Sequence, residues 1–402
     1  GFFNVPAVNQ MKLRASWGRN GSIAGLGGYM YAASLASEGN YSYSTSNNSI
    51  IYQAATAPSS TGNDNLKWET SEQLDFGLDL RMLRDRLTFT ADAYSKTTKD
   101  LIITGAKSSL TVGNTPSPIN AGNVSNRGLE FELGWKDSVG DFHYGINANL
   151  STLHNKVTHI PENMIRIAGG STWKGVLNYF EAGYPMWYMR GYEFTGVDPA
   201  TGNPTFKDQL TVPVYAADGK TVDHYEADGI LNDDDKVMIG SGIPDYTCGI
   251  TFTAGWKGFD LIVFGSGAYG NDVMYGMCSD RATFNTLKEF YDGRWTAAGQ
   301  TAKYPRASQI VNSDYYMSSA MVYDGSYFKI KQIQLGYSLP EKLLQKVSVK
   351  GMRMYASLDD AFTFTKYIGY DPEIAGEGSS MGIDNMSYPT TRKIVFGVNV
   401  TF

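Results

Sequence analysis

An alternation of apolar and polar residues with a period of two recurs along this chain and restricts its fold more than any other feature. In the stretch TTRKIVFGVNVTF every second residue from position 394 is apolar: Ile394, Phe396, Val398, Val400 and Phe402. Successive side chains of a β-strand point to opposite faces, and no other regular element produces this period. Residues 394–402 are therefore predicted to form a strand with one apolar face.

Nine further segments carry the same pattern. In LKWETSEQLDFGLDL, Phe76 and Leu78 share an apolar face, while Asp75 lies on the other face. The nine predicted strands lie at 11–18, 66–80, 86–95, 127–135, 142–150, 246–256, 259–267, 326–338 and 352–362. In SYFKIKQIQLGYS the apolar phase changes within residues 330–333, which predicts a β-bulge near Lys331 to Ile333.

Composition agrees with a large β-structure. Charged residues make up 18% of the 402 residues, aromatic residues 13%, and 44 residues are glycine, as is typical of strands and turns. The net charge of −6 gives no basic footprint for nucleic acid. Cys248 and Cys278 are the only cysteines, which excludes a disulfide framework and a four-cysteine zinc site.

Connections of very unequal length favour a transmembrane barrel over a soluble sandwich, whose turns would be more evenly spaced. Short turns at 84–86, 136–141 and 257–258 alternate with long irregular stretches at 19–65, 101–126, 156–244 and 268–324. No apolar run reaches the roughly 20 residues of a membrane-spanning helix. Aromatic residues at strand ends fit interfacial girdles, although each also fits ordinary strand packing. They are Trp17, Trp68, Trp135, Tyr144 and Trp256.

In their order along the chain, several segments resemble the C-terminal barrel half of the SusC/RagA family of TonB-dependent outer-membrane transporters. They are NLKWETSEQLDFGLDL with RLTFTADAYSKTTKDLI, NVSNRGLEFELGW, GWKGFDLIVFGSGAYGN, SYFKIKQIQLGYSLP, DAFTFTKYIGYDPE and TTRKIVFGVNVTF. The resemblance implies an all-β fold, with residues 1–402 forming the C-terminal part of a 22-stranded antiparallel barrel in the outer membrane. Residues 156–244 and 268–324 would then be extracellular loop regions.

The resemblance also implies a function and partners. Members of this family import oligosaccharides or peptides with a SusD-like surface lipoprotein, and TonB with ExbB and ExbD supplies the energy. Their plug domain resembles nothing in residues 1–402, so we expect it before Gly1. The last strand resembles the signal that outer-membrane assembly machinery recognises, carried here by Ile394, Phe396, Val398, Val400 and Phe402. Phe402 also fits a girdle residue that packs against outer-membrane lipid.

The sequence contains no catalytic constellation. Its four histidines are scattered, and it has no Gly-x-Ser-x-Gly elbow, phosphate-binding loop or HExxH pair. Paired carboxylates such as Glu130 and Glu132 have a spacing that any polar lumen wall would produce. We therefore expect no enzyme activity.

One acidic turn, HYEADGILNDDDK, has the ligand spacing of a calcium loop. Oxygen ligands around a glycine suit calcium, but a histidine at the first position and an aspartate at the twelfth depart from the usual pattern. A solvated acidic turn is the alternative. The candidate calcium ligands are His224, Glu226, Asp228, the Ile230 carbonyl, Asn232 and Asp235.

The 156–244 region is rich in aromatic residues. Such rings stack on sugars or anchor a protein partner, although they also pack against one another within a loop. The candidate ligand- or partner-binding residues are Trp173, Tyr179, Trp187, Tyr188 and Tyr192.

The resemblance thus implies an energised importer. A passive porin or surface adhesin with the same barrel is one alternative, and a soluble β-rich glycan-binding protein is another. A barrel wall requires Phe76, Leu133, Ile146 and Val398 to face outward, whereas a soluble protein would gather them in a shared interior.

Overall fold

The computed structural model describes a long antiparallel β-sheet with a cap at one end. It covers residues 5, 7–23, 28–44, 50–103, 117–162, 164–216, 221–276, 286–307, 313–344 and 349–402. The strands of the sheet are β1 (Val8–Ser22), β2 (Glu69–Met82), β3 (Leu87–Lys99), β4 (Asn123–Val139), β5 (Phe142–Thr152), β6 (His154–His159), β7 (Tyr246–Trp256), β8 (Phe259–Tyr269), β9 (Tyr327–Ser338), β10 (Gly351–Thr365) and β11 (Lys393–Thr401). We call this sheet the wall.

The wall follows chain order. Ten strands are neighbours in the sequence β1-β2-β3-β4-β5-β7-β8-β9-β10-β11, and β6 pairs with β4 beyond the point where β5 ends. Every pair is antiparallel, as a meander of sequential strands requires. The structure therefore confirms all ten strands that the alternation predicts.

Two local details concern the predicted irregularities. The register of β9 moves by one residue between Ile330 and Gln332 against both of its neighbours, so the bulge lies at Lys331, at the start of the predicted range. The predicted turn at 136–141 is wrong in its extent, because β4 continues until Val139 pairs with Phe142.

Antiparallel order places the connections at two different ends of the wall. The short turns lie at one end, which we call the turn end, and the long connections lie at the other, the loop end. At the turn end, Lys257 and Gly258 have φ of 47° and 89°, the left-handed conformation that a two-residue hairpin needs. The predicted inequality of the connections is thus a real asymmetry of the fold.

The long connections are not irregular, in contrast to the prediction, because they form short strands and helices of their own. We call the described residues of 100–122, 160–245, 270–326 and 366–392 the cap. Its strands are Ile102–Ile103, Ile119–Asn120, Arg166–Ala168, Ser171–Thr172, Gly175–Val176, Asn178–Glu181, Tyr188–Gly191, Phe194–Val197, Pro204–Phe206, Thr211–Tyr215, Val222–Ala227, Val237–Gly240, Asp272–Tyr275, Val322–Asp324 and Ile383–Asp384. Its helices and 3₁₀ turns are Asp233–Asp235, Lys288–Asp292, Ser313–Tyr316, Ser319–Met321, Pro372–Ile374 and Gly378–Ser380.

Two elements lie outside the wall and the cap. Ser34–Ser44 and Ile50–Ser60 form a hairpin between β1 and β2 at the loop end. The helix Glu341–Leu344 lies in the connection between β9 and β10 at the turn end.

The buried core of the described residues lies mainly in the cap. One cluster contains residues from three cap connections: Leu177 and Met189 from 160–245, Val273 and Met274 from 270–326, and Ile383 from 366–392. A second cluster joins Phe180 of the cap to Val124 and Val157 at the loop end of the wall. Contacts such as the hydrogen bond from Asn178 Nδ2 to the Met381 carbonyl, 2.9 Å long, connect cap segments that are 203 residues apart in sequence.

Candidate functional site: a two-faced wall beneath a cap

One face of the wall is apolar and exposed across all of its neighbouring strands. Phe76 is 55% exposed and Leu133 48% exposed, and Ile146 and Val398 are exposed as well. Directly opposite residues share a face, and Leu133 lies opposite Phe89 on one side and Ala148 on the other. The predicted outward face is therefore confirmed: these side chains do not converge in an interior.

The other face of the wall is polar and carries ion pairs between strands. Arg14 on β1 donates to Asp79 on β2 and to Asp92 on β3, with nitrogen–oxygen distances of 2.9 Å to each carboxylate. Gly77 lies between these strands, and a Cβ there would meet the side chains of Arg14 and Asp92. A hydrophilic surface that excludes bulky side chains at this position is suited to line an aqueous lumen.

A buried lysine joins the wall to the cap. The Nζ of Lys329, on β9, lies 2.8 Å from Asp371 Oδ2, 2.7 Å from Glu373 Oε2 and 3.0 Å from Thr390 Oγ1. Lys329 is 1% exposed. Lys331, at the bulge, also donates to Glu373. A buried charge is tolerated only with such a set of partners, so this cluster holds the 366–392 connection on the inner side of the wall.

The two carboxyl groups of this cluster have pKa values below their ordinary values. Burial alone would raise the pKa of Asp371, but hydrogen bonds from Lys329 and Thr390 hold that pKa below its ordinary value. The same balance lowers the pKa of Glu373, with Lys329 and Lys331 as its donors. Both carboxyl groups are therefore ionised at neutral pH and stabilise the attachment of the cap.

Acid should release this attachment. A carboxyl whose pKa is lowered by folding stabilises the folded state fully above its unfolded pKa of about 4, and this stabilisation is lost as the pH falls through the lowered value. We expect protease cleavage within 366–392 to be unchanged from pH 8 to pH 5 and to increase below about pH 4. Cleavage that rises between pH 8 and pH 5 would contradict this assignment.

In the acidic turn, the Asp235 carboxylate accepts backbone hydrogen bonds, and the predicted calcium ligands do not converge on one point. Asp235 is buried, and its Oδ1 accepts from the backbone nitrogens of Gln209 at 2.8 Å and Leu210 at 3.1 Å. Its Oδ2 accepts from the Asn232 nitrogen at 2.8 Å. These backbone donors, Asn232 first, lower the pKa of Asp235. The carboxylate therefore already stabilises the local chain.

The other predicted calcium ligands point elsewhere. His224 and Glu226 are exposed on the strand Val222–Ala227, with His224 Nδ1 3.0 Å from Asp223 Oδ2. Asp228 Oδ1 accepts from the Ile230 nitrogen at 2.8 Å. Within the described residues, no group of three or more His, Cys, Asp and Glu side chains could hold a metal ion. Calcium binding would need a rearrangement of this turn and stays a prediction.

The aromatic residues of 156–244 form mainly a core. Tyr188 is buried and donates from its hydroxyl to Glu181 Oε2 at 2.6 Å, and Tyr192 is buried against Phe206. Burial removes both rings from contact with a ligand, so the binding prediction is not supported for Tyr188 and Tyr192.

The remaining aromatic candidates differ in exposure. The Trp187 ring packs against Phe180, with ring centroids 5.5 Å apart, and Tyr179 is half-buried with the Arg190 guanidinium 5.9 Å from its ring. Trp173 is 40% exposed, and the Lys174 Nζ lies 3.7 Å from the centre of its ring. Trp173 is therefore the predicted aromatic residue best placed to contact a ligand.

The last strand and the cysteines complete the predicted sites. β11 lies at one end of the strand order and pairs with β10, and Phe396 and Phe402 are exposed. Its role as an assembly signal stays a prediction. Cys248 is half-buried on the outer face of β7, opposite Leu150, and Cys278 lies outside the described residues. No helix in the described part of the chain is both long and apolar enough to cross a membrane.

Comparison with known proteins identifies the family of this fold. Residues 5–222 match the family model described as TonB dependent receptor-like, beta-barrel. Over 353 residues the chain is 29% identical to TonB-dependent receptor P3 of Formosa agariphila, an alignment that covers 85% of this chain and 35% of that protein. Over 406 residues it is 26% identical to TonB-dependent receptor SusC of Bacteroides thetaiotaomicron, covering 99% of this chain and 38% of that protein.

A solved structure shares the same fold. The RagAB peptide transporter aligns with a TM-score of 0.78 and 23% identity, covering 100% of this chain and 42% of that chain. The predicted resemblance to the SusC/RagA family is confirmed by these similarities. The chain spans 35 to 40% of the length of the curated relatives that it matches.

Proposed function

This chain belongs to the TonB dependent receptor-like β-barrel family, and from that premise we propose that it forms the C-terminal part of an energised importer in the outer membrane. The observation that carries the proposal is the two-faced wall. Its exposed apolar face suits contact with acyl chains, and its ion-paired face suits an aqueous lumen. The loop end and the cap would then face the cell exterior, and the turn end the periplasm.

We propose that the cargo is an oligosaccharide or a peptide delivered with a SusD-like lipoprotein. The RagAB peptide transporter, whose fold this chain shares, favours a peptide. The oligosaccharide and the SusD-like lipoprotein follow from the resemblance of the sequence to the SusC/RagA family. Cap and lipoprotein would enclose the cargo outside. TonB, with ExbB and ExbD, would then displace the plug of the complete protein, and the cargo would pass along the polar face of the wall.

Uptake by cells that carry the complete gene tests this proposal. Radiolabelled oligosaccharides and peptides should enter cells with the intact gene and fail to enter cells that lack TonB. Uptake that continues without TonB would support a passive porin instead. Release of the protein from cells without detergent would support the soluble alternative.

Trp173 provides a residue-level test. Trp173→Ala should weaken cargo binding by about 5- to 30-fold, because exposed aromatic anchors contribute about 1–2 kcal/mol or more to recognition. The measurement is the Kd of purified protein for the cargo that the uptake experiment identifies. Trp256→Ala is the matched control, since Trp256 is an exposed tryptophan at the turn end of the wall. Equal Kd values for wild type and Trp173→Ala would exclude this role.

A further inference from the structure

Basic side chains line the outer face of the wall at its loop end. Arg127 on β4 lies opposite Ser95 on β3 and His154 on β6. Arg127 and Leu129 are two residues apart on β4 and therefore lie on the same, outer face. His154 lies opposite Arg127 and shares this face, and so does Lys156, two residues after His154 on β6. Arg127 and Lys156 are both exposed. We call this group the basic rim, and its members are Arg19, Lys99, Arg127 and Lys156.

The basic rim has more positive than negative charge. Glu72 is the acidic partner of two of its members: Arg19 Nε lies 3.5 Å from Glu72 Oε1, and Lys99 Nζ lies 2.7 Å from Glu72 Oε2. Within the described part of the chain, Arg127 and Lys156 form no ion pair. The rim therefore has two cations for which the wall supplies no counter-charge.

An apolar groove lies directly below the basic rim. It has a volume of about 490 Å³. Alanine and larger apolar side chains of β1, β2, β3 and β4 line it, together with Arg14, Gly77 and Asp92. The apolar lining includes Ala15, Phe76, Ala91, Ala93, Leu129 and Phe131. Arg127 is two residues above Leu129, so the nearest residue of the basic rim is about 7 Å from the groove along the strand.

Amphipathic rings mark the same height on the wall. Trp17 on β1 is exposed and lies opposite Leu74 on β2. Leu74 in turn lies opposite Ser95 on β3, the residue that faces Arg127. Tyr246 is exposed at the loop end of β7. Tryptophan and tyrosine occupy the level of lipid headgroups at the edge of a membrane barrel, so the basic rim lies at headgroup level and the groove at acyl-chain level.

We propose that the basic rim binds the phosphate of a lipid in the outer leaflet, with an acyl chain of that lipid in the groove. The proposal rests on the membrane placement given under Proposed function. Charge complementarity selects a phosphorylated headgroup, and the long stems of Arg127 and Lys156 let their charges reach it while the stems lie along the wall. At the turn end, Arg86 is paired with Asp137 at 2.9 Å.

Lipid retention by the purified protein tests the proposal. The complete protein is extracted from outer membranes in mild detergent, and native mass spectrometry measures the fraction that carries a phosphorylated lipid. Arg127→Gln together with Lys156→Gln should lower retention about tenfold or more, since each basic residue at a membrane surface contributes substantially to anionic-lipid binding. Lys96→Gln is the matched control, because Lys96 lies at the same height on β3 but on the polar face.

The source of the phosphate is tested by titration of delipidated protein. The purified outer-leaflet glycolipid should bind. After enzymatic removal of its phosphates, the same glycolipid should have an affinity at least about tenfold lower. Inorganic phosphate at millimolar concentration should not displace the intact lipid. Displacement by inorganic phosphate would overturn the assignment to a lipid.

The groove is tested independently of charge. Ala93→Phe fills the groove with an apolar side chain that still faces outward, and it should lower lipid retention while the basic rim is intact. Retention equal to wild type in both the double variant and Ala93→Phe would overturn the proposal. The experiment reports lipid binding in detergent, so a protein that retains lipid but imports no cargo would contradict the proposed function alone.

Discussion

Replacing Lys329 with methionine is expected to cost about 3–5 kcal/mol of stability, because it leaves the carboxylates of Asp371 and Glu373 without their buried cation. The lysine is almost completely buried and donates to both groups. The expected result is a cap connection at 366–392 that is cleaved by protease at neutral pH, while the wall remains folded. Limited proteolysis followed by mass spectrometry measures the cleavage within 366–392 and the protection of the wall strands.

Lys331→Met is the control for this experiment. Lys331 also pairs with Glu373 but its side chain is 30% exposed, and exposed pairs contribute about 0–1 kcal/mol. Its loss should leave 366–392 protected. The combination of Lys329→Met with Asp371→Asn and Glu373→Gln should restore part of the protection, because no uncompensated charge remains. Equal cleavage in Lys329→Met and wild type would show that the cluster does not hold the cap.

Leu133→Arg is expected to destabilise the folded barrel by about 1–3 kcal/mol, because an arginine on the lipid face costs about 2–4 kcal/mol at the bilayer midplane and less toward the interface. Leu133 lies on the apolar face between Phe89 and Ala148, two residues from Trp135 on the same strand. The expected result is a lower yield of folded protein in outer membranes and a lower temperature for the loss of the heat-resistant band on electrophoresis.

Asn149→Arg is the matched control for Leu133→Arg. Asn149 is on the strand beside Leu133, at almost the same height, and lies opposite Glu132 on the polar face. An arginine there has water and a carboxylate nearby, so its effect should be small. If both arginines were equally harmful, the assignment of one face to lipid and the other to a lumen would be wrong.

The wall could be predicted from the sequence because its signal is local. A period of two is visible within ten residues, and it places Phe76 and Val398 on the exposed face without knowledge of any partner strand. The bulge at Lys331 is predictable for the same reason, since it changes the phase of the pattern inside one segment. The end of a strand is less well marked, and β4 therefore runs to Val139, beyond the predicted boundary.

The ion pairs and the cap could not be predicted because they depend on distant parts of the chain. Arg14 and Asp79 are 65 residues apart in sequence, and Lys329 and Asp371 are 42 apart. Tyr188 and Trp173 carry similar sequence signals, an aromatic side chain in a polar region, yet Tyr188 is buried and Trp173 is exposed. Strands of two to six residues are too short for periodicity to separate these cases.

The packing of the cap across the four long connections has a consequence for protein engineering and for divergence among relatives. Because side chains from one connection fill spaces left by the others, a single loop grafted from a relative would arrive without its complementary surfaces. The four connections should be transplanted together as one cassette with the wall residues that they contact, such as Val124, Val157 and Lys329, whereas the other positions of the strands could be kept unchanged.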